Sequence, residues 1–301
     1  MKRWILTLCV WIAAVAWALP CIARPVDEGA PREADTLPLE PGDRWVVVDL
    51  FTGRSASEQA LRIKKTLERL GARGEGMVLS FRGATLEEMA RIRPTFLALS
   101  PNGIPWCRYT GENGEGLERF FAALRAAVDR MKVPVIGICG GHQALALAFG
   151  GKVGPIVGEE DDCFPYGNHP TEKGRKDLEL LEDDPLFESM ESPINLVQSH
   201  YDEVKRLPPG FLWLAKNELS PYQIIRHPQK PVYGVQAHTE YYHRHRPDGG
   251  TLLRNFLRIV EEHNAAERRG AGGDGSSASM ERLKVAIFSA TPCPSLSFEA
   301  R

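Results

Sequence analysis

Hydrophobic residues follow two alternating patterns between residues 45 and 149. Short runs rich in β-branched and aromatic residues are typical of buried strands, and apolar residues at helical spacing separate these runs. The predicted strands are 45–51, 77–81, 96–100 and 133–138, and the predicted helices are 57–70, 86–92, 117–131 and one beginning at 142. Strands that alternate with helices predict an α/β fold, with a mostly parallel central sheet and helices on both faces.

The pattern changes after residue 151, where the apolar runs become shorter. Shorter strands are predicted at 194–198, 211–215, 223–225 and 232–236, and a closing helix is predicted at 251–263. A second half made mostly of strands does not continue the strand–helix alternation. We therefore predict a smaller antiparallel strand set in the second half of the chain.

The two ends of the chain differ in composition from its centre. Residues 1–23 have a basic start, an uncharged apolar run and small residues near the end, which predicts a signal peptide or, alternatively, a membrane anchor. Residues 24–43 are interpreted as a flexible linker and residues 265–301 as a disordered tail, leaving 44–264 as the folded domain. A signal peptide would make the protein exported, either periplasmic or secreted, and otherwise it would be membrane-anchored or cytoplasmic.

Composition adds little to this picture but excludes some classes of protein. The 301 residues are 43% hydrophobic and 25% charged, as in an ordinary globular protein. The formal net charge of −2 gives no basic field that would favour a nucleic-acid partner. Two of the six cysteines lie in residues 1–23, and the remaining four are too few for a disulfide-built scaffold. If the protein is exported, one structural disulfide is possible, with Cys107 and Cys163 the favoured pair.

The segment Gly137-Ile138-Cys139-Gly140-Gly141-His142-Gln143 joins a buried strand directly to a helix. Such a turn presents Cys139 at the carboxyl edge of the sheet, where open α/β folds bind ligands. The helix N-terminus favours a thiolate, and the backbone N–H of Gly140 can stabilise an oxyanion. A lone cysteine in a tight turn would more often be structural, but the surrounding glycines favour a nucleophile.

A second candidate segment reads Gly234-Val235-Gln236-Ala237-His238-Thr239-Glu240. Residues i and i+2 of an extended chain point the same way, so Glu240 can reach and orient the His238 ring. A nucleophile, a base and an orienting acid are the parts needed for acyl transfer. The sequence therefore predicts a Cys139–His238–Glu240 triad, although H-x-E alone is a weak signal.

The two segments together resemble the motifs G-x-C-x-G-H-Q and G-x-Q-x-H-x-E of the class I (triad) glutamine amidotransferases. The segment Ser199-His200-Tyr201-Asp202-Glu203-Val204 similarly resembles the S-H-x-D-x-V segment of that family. The resemblance covers roughly residues 45–262 and implies a flavodoxin-like fold. It also implies hydrolysis of the glutamine side-chain amide through a thioester on the cysteine. By analogy, Gln143, Ser199 and His200 would help to bind the substrate.

One loop departs from the family pattern. Where the family has a G-G-P-G type turn after the third strand, this chain has Ser100-Pro101-Asn102-Gly103-Ile104-Pro105-Trp106. We predict Gly103 as the second oxyanion donor, beside Gly140. The unusual Pro and Trp residues leave the shape of the substrate site open.

Three functions follow, and they are kept as alternatives. The first is a glutamine amidotransferase-like enzyme that acts on glutamine, with a synthetase subunit as the candidate acceptor of the ammonia. The second is an exported γ-glutamyl hydrolase or peptidase of the same fold, and the third is a non-catalytic binding module. No metal-ligand spacing, P-loop or dinucleotide fingerprint is found, so no metal or cofactor is predicted. A membrane contact is predicted only through residues 1–23, if they stay uncleaved.

Overall fold

The computed structural model describes residues 44–160, 162–163 and 170–272. The predicted targeting segment 1–23, the linker 24–43 and residues 273–301 lie outside the described residues, so export and localisation stay predictions. Within the described ranges, no helix combines the length and the apolar composition needed to cross a membrane.

The described residues form eleven strands and five α-helices. The strands are β1 (Arg44–Asp49), β2 (Glu75–Ser80), β3 (Leu97–Leu99), β4 (Val135–Ile138), β5 (Lys152–Pro155), β6 (Glu172–Leu180), β7 (Ile194–His200), β8 (Asp202–Arg206), β9 (Leu212–Lys216), β10 (Ile224–Arg226) and β11 (Val232–Val235). The helices are α1 (Glu58–Arg69), α2 (Leu86–Ile92), α3 (Glu112–Asp129), α4 (Gly140–Ala148) and α5 (Asp248–Gly272).

Nine of these strands form one mixed sheet in the order β2-β1-β3-β4-β11-β10-β9-β6-β7. The strands from β2 to β11 in this order pair in parallel, and the remaining pairs are antiparallel. The pairing confirms the predicted α/β fold and its antiparallel second part. β5 and β8 form a separate antiparallel pair.

Strand β1 shows why the parallel strands are hydrophobic on both faces. Val46 and Val48 belong to one hydrophobic cluster, which also contains Phe120 of α3. Val47 belongs to a second cluster, together with Ile63 of α1. Successive side chains of a strand point to opposite faces, and helices cover both. The sheet therefore lies between two apolar layers.

The hydrophobic pattern did not predict strands β5, β6 and β8, and β6 shows the reason. Its sequence EKGRKDLEL is polar, and most of its side chains are exposed. Instead of burying an apolar face, it is held by a long antiparallel pairing with β7 that runs from Glu172–His200 to Leu178–Ile194. Hydrophobic periodicity does not detect a strand of this kind.

Helix α5 runs to Gly272, eight residues beyond the predicted domain boundary at residue 264. The added turns contain Ala265, Ala266 and Glu267, which are good helix formers. Glu267 also forms an ion pair with Lys132 at 2.8 Å. Residues 265–272 therefore belong to the closing helix and not to the predicted disordered tail.

A disulfide joins Cys107 to Cys163, 56 residues apart, and confirms the favoured pair. Cys107 lies in the short 3-10 turn Trp106–Arg108, which follows β3. The bond ties this turn to the segment that follows β5. Cys139 is the free cysteine among the described residues.

Candidate active site

Cys139 lies between β4 and α4, at the carboxyl edge of the parallel sheet. Its φ of 51° and ψ of −106° are unusual for a residue with a side chain, and it directly precedes the first residue of α4. The turn is this sharp because glycines surround it. A methyl group added at Gly137 would lie 2.3 Å from the carbonyl oxygen of Gly141. The predicted strand–turn–helix arrangement is thus observed.

His238 and Glu240 lie just beyond the end of β11, the strand next to β4. The backbone N–H of His238 donates to the carbonyl of Val197 in β7, at 2.8 Å. Its Nδ1–H donates to Glu240 Oε1 at 2.7 Å, and Glu240 is only 4% exposed. The carboxylate therefore orients the imidazole, as the spacing predicted.

The charges around His238 favour its protonated form. Burial lowers the pKa of His238, but Cys139 and Glu240 raise it through charge and hydrogen bonding, and the net pKa lies well above the ordinary value of 6.5. An opposite charge nearby stabilises the charged form of a titrating group. The structure thus places a histidine that readily holds a proton between a thiol and a carboxylate.

Backbone N–H groups near Cys139 come from the start of α4 and from the loop after β3. Gly140 is the first residue of α4, where backbone N–H groups lack partners within the helix. A methyl group on Gly140 would lie 2.3 Å from the backbone nitrogen of Asn102, so Asn102 is the loop residue that faces Gly140. At the predicted donor Gly103, an added methyl group would lie 2.6 Å from Cδ1 of the Phe51 ring, so Gly103 packs closely against Phe51. Asn102 is therefore a further candidate for the second donor, and the role of Gly103 stays a prediction.

Gln143 is buried and makes its hydrogen bonds within the protein, and direct substrate contact by Gln143 stays a prediction. Its Oε1 accepts from Trp106 Nε1 at 2.7 Å, and its Nε2 donates to the carbonyl of Asp202 at 2.6 Å and to Gln236 Oε1 at 3.1 Å. Both amide hydrogens are thus used within the protein. The sequence places Gln143 one helical turn after Cys139 but cannot show that its side chain turns inward.

Ser199 and His200, the other predicted substrate-binding residues, end strand β7. Ser199 is exposed, whereas His200 is buried. The His200 ring contacts Glu172 Oε2 through Nε2 at 2.9 Å and the carbonyl of Asp202 through Nδ1 at 3.0 Å. Since β7 also bonds to His238 through Val197, the backbone of this strand end lies close to the triad. Direct substrate contact by these residues stays a prediction.

His142 is fully buried in α4. An added methyl group at Gly234 would lie 2.5 Å from His142 Nδ1, so β11 approaches the ring closely. Burial, with a smaller contribution from the charge of His200, lowers the pKa of His142 to about 3. The ring is therefore neutral at neutral pH.

The depressed pKa of His142 predicts an acid sensitivity with a defined sign. The unfolded chain takes up a proton near pH 6.5 and the folded protein only near pH 3, so stability is lost as the pH falls between these values. Replacing His142 with methionine removes this effect. We expect the wild type to lose roughly 1–3 kcal/mol relative to His142→Met between pH 7.5 and 4.5, measured by urea unfolding.

The same comparison has an internal control. Burial raises the pKa of Asp202 to about 6, against the charges of His200 and Lys205. The stability contributed by this carboxyl group therefore increases as the pH falls, which is opposite in sign to the effect of His142. Asp202 is present in both proteins, so the difference between them isolates His142. Parallel stability curves for the two proteins would contradict the prediction.

Comparison with known proteins shows which family the chain belongs to. Residues 109–260 match the model of the family described as glutamine amidotransferase class-I. The chain belongs to the class I glutamine amidotransferases. The matched residues include the Cys139 turn, the His238–Glu240 segment and β7.

Relatives of this amidotransferase extend the match beyond residues 109–260. A subunit of the glutamine-hydrolysing GMP synthase of Pyrococcus abyssi is 34% identical over 201 residues, which cover 67% of this chain and 93% of the relative. The corresponding subunit of Archaeoglobus fulgidus is 42% identical over 135 residues, or 45% of this chain and 66% of the relative.

A solved structure shows the same fold at lower sequence identity. A glutamine amidotransferase from Thermotoga maritima is 19% identical and has a TM-score of 0.52, covering 74% of this chain and 100% of that one. This likeness supports the fold alone.

Proposed function

We propose that this amidotransferase hydrolyses the side-chain amide of glutamine to glutamate and ammonia through a thioester on Cys139. The observation that carries the proposal is the buried His238, which contacts Cys139 on one side and Glu240 on the other. A nucleophile, a proton carrier and an orienting carboxylate are the parts of an acyl-transfer site. Membership of the family supports the choice of an amide as the substrate.

In the first half-reaction, the Cys139 sulfur attacks the amide carbon, and the carbonyl oxygen becomes an oxyanion. The backbone N–H groups of Gly140 and Asn102 are proposed to stabilise that charge. His238, held protonated by the charges beside it, donates a proton to the departing nitrogen. Ammonia leaves, and the γ-glutamyl group remains bonded to sulfur.

In the second half-reaction, water hydrolyses the thioester. His238, now neutral, accepts a proton from the water, and the resulting hydroxide attacks the thioester carbon. Glutamate leaves and the Cys139 thiolate returns. Glu240 stabilises the imidazolium at both stages, so that one histidine serves first as an acid and then as a base.

We further propose that the ammonia passes to a separate synthetase subunit. The relatives that support this are subunits of glutamine-hydrolysing GMP synthases, and this chain covers 93% of the Pyrococcus abyssi protein. The sequence match thus extends over nearly a whole subunit of that type.

The proposal is tested by incubating the full chain with glutamine and measuring ammonia, with asparagine as the control substrate. Added hydroxylamine would capture the thioester as γ-glutamyl hydroxamate, which also detects enzyme that releases ammonia slowly. We expect both products from glutamine and neither from asparagine. Cleavage of γ-glutamyl peptides without cleavage of glutamine would overturn the proposal in favour of a γ-glutamyl hydrolase. The absence of any product would overturn it in favour of a binding module.

A further inference from the structure

A chain of buried hydrogen bonds leads from the loop after β3 to the Cys139 sulfur. Trp106 Nε1 donates to Gln143 Oε1 at 2.7 Å, and Gln143 Nε2 donates to Gln236 Oε1 at 3.1 Å. Gln236 Nε2 then donates to Cys139 Sγ at 3.7 Å. Gln143 and Gln236 are 2% and 0% exposed, so solvent does not compete for these bonds.

The direction of this chain is fixed at its far end. The indole N–H of Trp106 can only donate, so it must meet the oxygen of the Gln143 amide. The carbonyl of Asp202 can only accept, and it binds the nitrogen of the same amide at 2.6 Å. Gln143 therefore presents its nitrogen to Gln236. Gln236 must in turn present its oxygen to Gln143, which leaves its nitrogen for the sulfur.

We propose that Gln236 is a positioning residue that donates a hydrogen bond to the Cys139 thiolate, with its orientation set by Trp106 and Gln143. A hydrogen bond to a charged group is stronger than one between neutral groups. The donated bond therefore stabilises the thiolate and holds the sulfur in one position beside His238. Both effects prepare Cys139 for attack.

Both side chains that contact the Cys139 sulfur come from the segment 232–240. Gln236 and His238 are two residues apart on the stretch that continues β11, and both side chains reach Cys139. The sulfur is thus held by two donors from one segment. Gln236 differs from His238 because an amide does not titrate, so Gln236 remains a donor over the whole pH range of the assay.

The test measures the alkylation of Cys139 by iodoacetamide as a function of pH, read by mass spectrometry of the peptide that contains Cys139. The proposal rests on Cys139 being the proposed nucleophile, but this readout needs no glutamine turnover. A failure of the glutaminase assay would therefore leave it unaffected. Peptide-level detection separates Cys139 from Cys9, Cys21 and Cys293, which lie outside the described residues.

In the variant Gln236→Met, which is similar in size and lacks the donor, alkylation at pH 7 is expected to slow by about tenfold. Its half-maximal rate should also move to higher pH. The matched control is Gln198→Met, which removes another buried amide, one that donates to Gln223 Oε1 at 2.8 Å and is not part of the chain. The control should keep the wild-type pH profile. Equal profiles for Gln236→Met and the wild type would overturn the proposal.

A second variant keeps the test decisive if Gln236→Met does not fold. Gln143→Met leaves Gln236 in place but removes the donor that fixes its orientation. We expect a smaller shift in the same direction, because the Gln236 amide can then turn its oxygen toward the sulfur. A wild-type alkylation profile in Gln143→Met would contradict the orienting role of the chain.

Discussion

Replacing Cys139 with alanine is expected to lower the rate of ammonia release from glutamine by at least about 10⁴-fold. Without the sulfur no thioester can form, and the remaining groups can only polarise the amide. Gly140, Asn102 and His238 stay in place, so binding of glutamine should survive. The measurement is the rate of ammonia release at saturating glutamine, together with glutamine affinity by calorimetry.

The backbone of Cys139 supplies a control for this variant. With a φ of 51° and a ψ of −106°, any side chain at this position is strained, whereas glycine is not. Cys139→Gly should therefore be as inactive as Cys139→Ala but more stable than it, by about 1 kcal/mol. Turnover that persists in both folded variants would show that Cys139 is not the nucleophile.

The parallel half of the fold could be predicted from sequence because its strands are buried on both faces. Short runs rich in β-branched and aromatic residues, such as Trp45–Val48, favour buried strands, and strand–helix alternation then predicts a parallel sheet. The second half was harder, because β6 is a polar strand that depends on pairing with β7. Pairing between distant segments leaves little trace in a single sequence. The extension of α5 was missed for a different reason, since flanking glycines suggested a linker.

The candidate site also has residues whose placement could be predicted from sequence and contacts that could not. Cys139, His238 and Glu240 were predicted because each lies in a short segment whose local geometry fixes its direction. The proximity of Asn102 to Gly140 and the hydrogen bond from Trp106 to Gln143 were missed, because both depend on how the loop after β3 folds over α4. The signal for Gln236 was present in the G-x-Q-x-H-x-E segment. Only the three-dimensional contacts show that its amide faces the sulfur.

Replacing Glu240 with glutamine is expected to lower turnover by at least about a hundredfold while leaving the protein folded. A glutamine carbonyl can still accept from His238 Nδ1, so the geometry is retained, but the negative charge is lost. That charge, together with Cys139, raises the pKa of His238. Its removal lowers this pKa, so the proton needed by the leaving ammonia is held less well. The alkaline limb of the kcat profile should therefore move to lower pH.

Glu203 offers a matched control for the loss of charge, because it is also 4% exposed. Its Oε1 pairs with Lys205 at 2.8 Å, and the charges that raise the pKa of His238 come from Cys139 and Glu240 instead. Glu203→Gln thus removes a carboxylate of equal burial from strand β8, which lies outside the nine-stranded sheet. If turnover depends on the charge beside the imidazole, only Glu240→Gln shifts the alkaline limb. If both variants lose activity equally with unshifted profiles, Glu240 acts through stability alone and the triad mechanism fails.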